Sequence, residues 1–140
     1  MHSPCGNGTL AWHRWGDSAQ TPVVLIHGGF GSWRHFAVNV LPLAEQFCVY
    51  AVDLPGLGDS DPLDTEYTAS NIASVVSKGI DRVLPPDMPF HLCGFSFGGI
   101  IGGLVAALQG ARALSYTGIA PGALGLPFGK LPHWSVPSRP

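Results

Sequence analysis

Charge is scarce in this chain. Only 11% of its 140 residues are Asp, Glu, Lys or Arg, where an ordinary soluble domain carries about 25%. Low charge combined with 46% hydrophobic residues excludes intrinsic disorder, which needs the opposite balance. Long apolar runs are lacking too. The longest, Gly99 to Leu108, is about half of the roughly 20 residues a membrane-spanning helix needs. The opening residues MHSPCGNG hold neither the basic nor the apolar segment of a secretory signal. Cysteine is sparse: Cys5, Cys48 and Cys93 make an odd set of three, which does not read as a disulfide framework. Cys48 and Cys93 fall in apolar runs and read as buried thiols, so the expected compartment is a reducing cytoplasm. A net charge of -2 gives no electrostatic footprint for nucleic acid or an anionic membrane. The sharpest absence is of carboxylates. All nine lie within residues 1–87, and none follows Asp87.

Glycine and proline are abundant instead, at 19 and 13 residues, which excludes a coiled coil. They punctuate a regular alternation. Thr9–Trp15 reads as a strand rich in β-branched and aromatic residues. Val23–Ile26, Phe47–Val52, Phe90–Phe95 and Leu114–Ile119 are short continuous apolar runs, the mark of strands buried on both faces of a parallel sheet. Between them, Trp33–Phe47 and Tyr67–Leu84 space their apolar residues as helices do, and Phe97–Gln109 is helical in length. Four glycines in that last segment, Gly98, Gly99, Gly102 and Gly103, cost about 1 kcal/mol each against alanine. They are expected where the helix must approach neighbouring backbone. The order predicts an α/β fold: a mostly parallel sheet, flanking helices and right-handed crossovers.

Two segments carry chemistry. Gly94-Phe95-Ser96-Phe97-Gly98 fits G-x-S-x-G, with a buried strand before it and a helix after it. Such a turn presents the serine oxygen at the carboxyl end of the sheet, near a helix N-terminus whose partial positive charge favours an anion. His27-Gly28-Gly29-Phe30-Gly31 directly follows the first parallel strand. A His before Gly at such a turn is read as organising the loop by hydrogen bonding, not as a catalytic base. Trp33, Phe36 and Phe95 are read as core residues ahead of an acyl pocket. The six histidines show no metal-ligand spacing with the cysteines, and no phosphate or dinucleotide loop is present. No metal and no cofactor are therefore expected.

These two segments, with Asp53-Leu54-Pro55-Gly56-Leu57-Gly58-Asp59-Ser60 between them, resemble the α/β-hydrolase superfamily. The likeness is to its serine-nucleophile branch of esterases and meta-cleavage-product hydrolases, over roughly residues 9–126. The resemblance implies that Ser96 is a nucleophile attacking a carbonyl. It implies an oxyanion hole from the backbone N–H groups of Gly29 (or its neighbour Phe30) and Phe97. It makes the Asp53–Ser60 loop structural. A serine at position 96 also departs from the dehalogenase and epoxide-hydrolase branches, which place aspartate there.

The pattern then breaks. The family order is nucleophile, acid, histidine, yet no Asp or Glu follows Ser96, and the only later histidine is His133 in a proline-rich tail. His91 lies five residues before Ser96 on the same strand, roughly 16 Å away at about 3.3 Å per residue. The expectation is therefore an amino-terminal part of a single hydrolase domain over residues 1–126, with an irregular tail at 127–140 where a cap begins. Cap, last strands, acid and histidine are absent. Such a chain carries the nucleophile for a small-molecule ester or diketone-like substrate and is inactive alone. The alternatives are a non-catalytic truncated protein and one half of a split enzyme. The strand at 114–119 is expected at a bare sheet edge, which invites self-association.

Overall fold

The computed structural model describes residues 1–122. Six strands form one sheet in the order β1-β2-β4-β3-β5-β6. They are β1 (His2–Cys5), β2 (Gly8–Trp15), β3 (Pro22–Ile26), β4 (Cys48–Val52), β5 (Phe90–Phe95) and β6 (Ala113–Ile119). β1, β2 and β4 pair antiparallel, whereas β4, β3, β5 and β6 run parallel. The α/β fold with a mostly parallel sheet is as the alternation predicts. β1 adds a strand that the sequence hid. Its residues His-Ser-Pro-Cys lack an apolar alternation, and Pro4 is tolerated because β1 lies at the sheet edge.

Every residue of β3 and β4 is buried, because helices cover both faces. Side chains alternate across a strand, so Val24, Ile26, Tyr50 and Val52 face one layer and Val23, Leu25, Val49 and Ala51 the other. The first layer holds α2 (Ala69–Val83) and α3 (Phe97–Gln109); α2 buries Ile72, Val76 and Ile80, and α3 buries Ile101 and Val105. Thr68 starts α2 by accepting the Asn71 N–H on its side chain, as an N-cap should.

The second layer corrects the expected helix over 33–47. The chain instead makes a 3-10 turn, Trp33–Phe36, and a separate short helix α1, Val40–Ala44. Pro42 is the reason. A helix running through from Trp33 would need an N–H at position 42, which proline lacks. In α1 it falls in the first turn, where no N–H is called for. Phe36 is buried beneath this layer with Trp33 and Phe95 packed on the same cluster, so all three serve the core. Cys5 and Cys48 are buried and Cys93 is half-buried, all three as free thiols.

β6 closes the other edge, with Leu114, Tyr116 and Ile119 exposed. Because β3, β4, β5 and β6 are parallel, the turns after Ile26, Val52, Phe95 and Ile119 all emerge at one end of the sheet. No described helix is long and apolar enough to cross a membrane.

Candidate active site

Ser96 occupies the turn between β5 and α3 with φ 53 and ψ -117. Few side chains adopt this region, and holding a non-glycine residue there stores strain of about 1–3 kcal/mol. The surroundings enforce it. The Ser96 N–H donates to Ile119 O at 2.9 Å, and Ser96 O accepts from Gly99 N at 2.9 Å and Gly122 N at 3.1 Å. The turn is thus held to the end of β6 and to the residues beyond it.

The flanking glycines are there for space. An ideal Cβ on Gly94 would lie 2.7 Å from the Gly98 carbonyl carbon and 2.8 Å from Gly99 Cα. One on Gly98 would lie 2.7 Å from the Ile26 carbonyl carbon and closer still to Ile26 O and His27 O. The first turn of α3 therefore sits directly on the end of β3. The expectation for the other glycines holds in part. Gly99 meets Pro121 and Gly102 meets the Tyr116 ring, but around Gly103 the nearest atoms are those of Tyr116 at 3.9 Å. Gly103 is not required by any close approach. The Tyr116 hydroxyl donates to Gly99 O, fixing α3 to β6.

The β3 loop meets this turn from the other side. A Cβ on Gly28 would lie 3.2 Å from Ser96 Cβ and 3.1 Å from the Phe95 ring. Phe30 has φ 56 and is 80% exposed, so the loop is strained at the residue beside Gly29. His27 is fully buried. Its Nδ1–H donates to Gly28 O at 2.7 Å, and its Nε2 accepts the Leu54 N–H at 2.9 Å. Burial pushes its pKa below the ordinary value, so the ring is a neutral brace and not a base.

Three further residues organise the loops: Asp53 and Ser60, at the ends of the loop that the resemblance makes structural, and His35, which the sequence does not single out. Asp53, also buried, accepts Trp33 N–H at 2.7 Å on Oδ1, and on Oδ2 the Asp59 N–H at 3.0 Å and the His13 ring at 3.2 Å. Ser60 donates its hydroxyl to Asp53 O at 2.6 Å and accepts the Ala11 N–H at 2.8 Å. His35 accepts the Gly28 N–H on Nδ1 at 3.2 Å. The individual bonds are not marked locally; they arise from partners 6 to 49 residues away. The 53–60 loop is structural, as its resemblance implies.

His13, Asp53 and Asp59 bring metal-type ligand atoms within 4.8 Å of one another. The Asp53 oxygens are already occupied by N–H donors and the His13 ring, so this group is an internal hydrogen-bond network. His91 Nδ1 lies 2.8 Å from Ser115 Oγ, facing β6 and not Ser96. His133 lies outside the described residues, as do the expected tail at 127–140 and the end of the expected 1–126 segment.

The chain belongs to the alpha/beta hydrolase family, whose model matches residues 23–140. It is 32% identical over 120 residues to a dihydrolipoyllysine-residue acetyltransferase component of an acetoin cleaving system from Pseudomonas putida, covering 86% of this chain and 32% of that protein. It is 46% identical over 68 residues to a soluble epoxide hydrolase from Corynebacterium sp. (strain C12), covering 44% and 23%. It is 39% identical over 88 residues to a 2-hydroxy-6-oxononadienedioate/2-hydroxy-6-oxononatrienedioate hydrolase from Cupriavidus pinatubonensis (strain JMP 134 / LMG 1197), covering 60% and 30%. Among solved structures it resembles a thioesterase domain from the curacin biosynthetic pathway, with TM-score 0.76 and 25% identity over 84% of this chain and 44% of that one. The chain spans about a third of the length of the curated relatives it matches.

Proposed function

We propose that this chain carries the nucleophile and oxyanion-hole part of a serine hydrolase, in which Ser96 attacks the carbonyl of a carboxylic ester or of a diketone-like substrate. The observation that carries this is the backbone of Ser96. A serine held at φ 53 and ψ -117 between a buried strand and a helix is strain without structural benefit, and such strain clusters where chemistry is done. The Gly29 N–H, with Phe30 beside it, and the Phe97 N–H are the proposed oxyanion donors. The close approach of the Gly28 backbone to Ser96, where an added Cβ would lie 3.2 Å from Ser96 Cβ, supports bringing these two segments to one reacting oxygen. A relative named as a hydrolase of an oxo-dienedioate fits the carbon–carbon bond alternative. Serine at 96, not aspartate, favours attack on acyl carbon over opening of an epoxide.

No carboxylate follows Asp87, and the only histidine after Ser96 is His133, so this reading requires a triad acid that residues 97–140 do not supply. Without its triad partners Ser96 is a weak nucleophile, and loss of triad members costs about 10⁴- to 10⁶-fold in rate. The partner is a small molecule, and β6, the edge strand among the described residues, is the proposed surface for self-association. A fluorophosphonate probe applied to the whole protein tests the reading. Labelling at Ser96 that disappears in Ser96→Ala is expected; an unlabelled Ser96 in the whole protein overturns it.

A further inference from the structure

His35 touches both arms of the site. Its Nδ1 accepts the N–H of Gly28, the residue before the proposed oxyanion donor. Its ring meets Phe95, the residue before Ser96, edge-on at 5.5 Å between centroids. Room for the ring is made on purpose: a Cβ on Gly31 would fall 2.8 Å from His35 Nδ1 and nearer still to the other ring atoms. The 3-10 turn that carries it is fixed at its start by Trp33 N–H to Asp53 and by the Ser32 side chain, which accepts the Arg34 N–H. His35 itself is exposed.

We infer that His35 is a positioning residue that holds the Gly28–Gly29 loop against the Ser96 turn, and that protonation of its Nδ1 releases that hold. An imidazole nitrogen that accepts the Gly28 N–H must carry no proton. Once protonated it presents an N–H to an N–H, and the hydrogen bond that ties Gly28 to the 3-10 turn is lost. The titratable and charged groups around it are His27, Arg34 and Asp53. The His27 ring stands edge-on at 5.9 Å and stays neutral through burial. Arg34 turns its guanidinium over Trp33 at 5.5 Å. Asp53 lies behind His27, 4.0 Å from its Nε2. None of these replaces Nδ1 as the acceptor for Gly28. The site's competence therefore falls in acid for a reason separate from the triad histidine. This inference rests on the proposed role of Ser96 for its catalytic consequence, but the hydrogen bond it concerns does not.

The test uses the whole protein as wild type, His35→Asn and His35→Phe. Asparagine supplies an oxygen acceptor that does not titrate; phenylalanine keeps the ring and removes the acceptor. The Gly28 amide shift is followed against pH beside the ring resonances of His35, and Ser96 labelling by a fluorophosphonate is timed at each pH. The triad histidine slows all three proteins alike, so the ratio of wild type to His35→Asn is read. That ratio should be level in base and fall about fivefold as His35 takes up its proton, the loss expected for one hydrogen bond. His35→Phe should be slow at every pH, and the Gly28 amide should move with the His35 ring in wild type only. A flat ratio with a Gly28 amide indifferent to the His35 titration overturns the inference. If Ser96 labels in none of the proteins, the hydrolase reading fails, and the Gly28 amide alone decides whether His35 holds the loop.

Discussion

Substituting Gly98 by alanine tests the close contact on which the geometry of the site depends. An added Cβ would stand 2.7 Å from the carbonyl carbon of Ile26, where carbon atoms need about 3.5 Å. The obstacle is backbone, so no rotamer relieves it, and α3 must move away from the end of β3 by about 1 Å. Overpacking of this kind costs about 1–3 kcal/mol, offset by about 1 kcal/mol of helix propensity gained over glycine. The net expectation is a loss of up to about 2 kcal/mol, read as a lower urea midpoint. The effect on chemistry is larger, because displacing a reacting group by about 1 Å is worth about 10²-fold in rate. Fluorophosphonate labelling of Ser96 should slow accordingly. Gly103→Ala is the control in the same helix. Its nearest neighbours lie 3.9 Å away, so it should keep its labelling rate and gain up to about 1 kcal/mol. Equal midpoints and equal labelling rates in the two variants would refute the argument that β3 and α3 are separated by no more than a glycine.

The strain at Ser96 predicts that Ser96→Gly melts above Ser96→Ala, since both lack the hydroxyl and only glycine relaxes φ 53. The difference should be a fraction of the ~1–3 kcal/mol of strain after about 0.5–1 kcal/mol of extra unfolded-state entropy; the reverse order of melting temperatures counts against strain. For His27, burial lowers the folded pKa below 6.5, so the unfolded state takes up a proton first as pH falls. Its contribution is complete above about 6.5 and is lost in acid. Urea midpoints should drop from about pH 7 to pH 5, and His27→Ala should lose this part of the slope while costing about 1–3 kcal/mol through the orphaned Leu54 N–H. On β6, Leu114 is 52% exposed, and a lysine there opposes strand pairing at the edge. Sedimentation should show less association for Leu114→Lys than for wild type; a monomeric wild type at the same concentration removes the basis for an edge-mediated contact.

The buried parallel strands were legible because their apolar runs are continuous, and the serine turn because G-x-S-x-G sits between a strand and a helix. Those signals are local. The broken segment at 33–44 was misread because apolar spacing alone ignores what Pro42 forbids to the residue four places before it. β1 was invisible because His-Ser-Pro-Cys has no pattern; it is a strand only by pairing with β2. The Asp53–Ser60 loop is legible as structural from its resemblance, but the partners of its residues are not, for a related reason. Asp53 binds residues 20 and 40 positions away, and Ser60 binds Ala11, 49 positions away. A sequence shows which residues could form such bonds, whereas the sheet order selects the partners.

The sharing of one carboxylate has a kinetic consequence. Asp53 receives His13 from β2, Trp33 from the 3-10 turn and Asp59 from the loop after β4. None of the three segments can rearrange at its Asp53 contact without leaving a buried carboxyl group short of a hydrogen-bond partner, which is costly in a dry interior. Their openings are therefore coupled into one cooperative event instead of three independent ones. Amide exchange at Trp33 and Asp59 then reports a common opening, and the rim beside the serine turn breathes as a single unit.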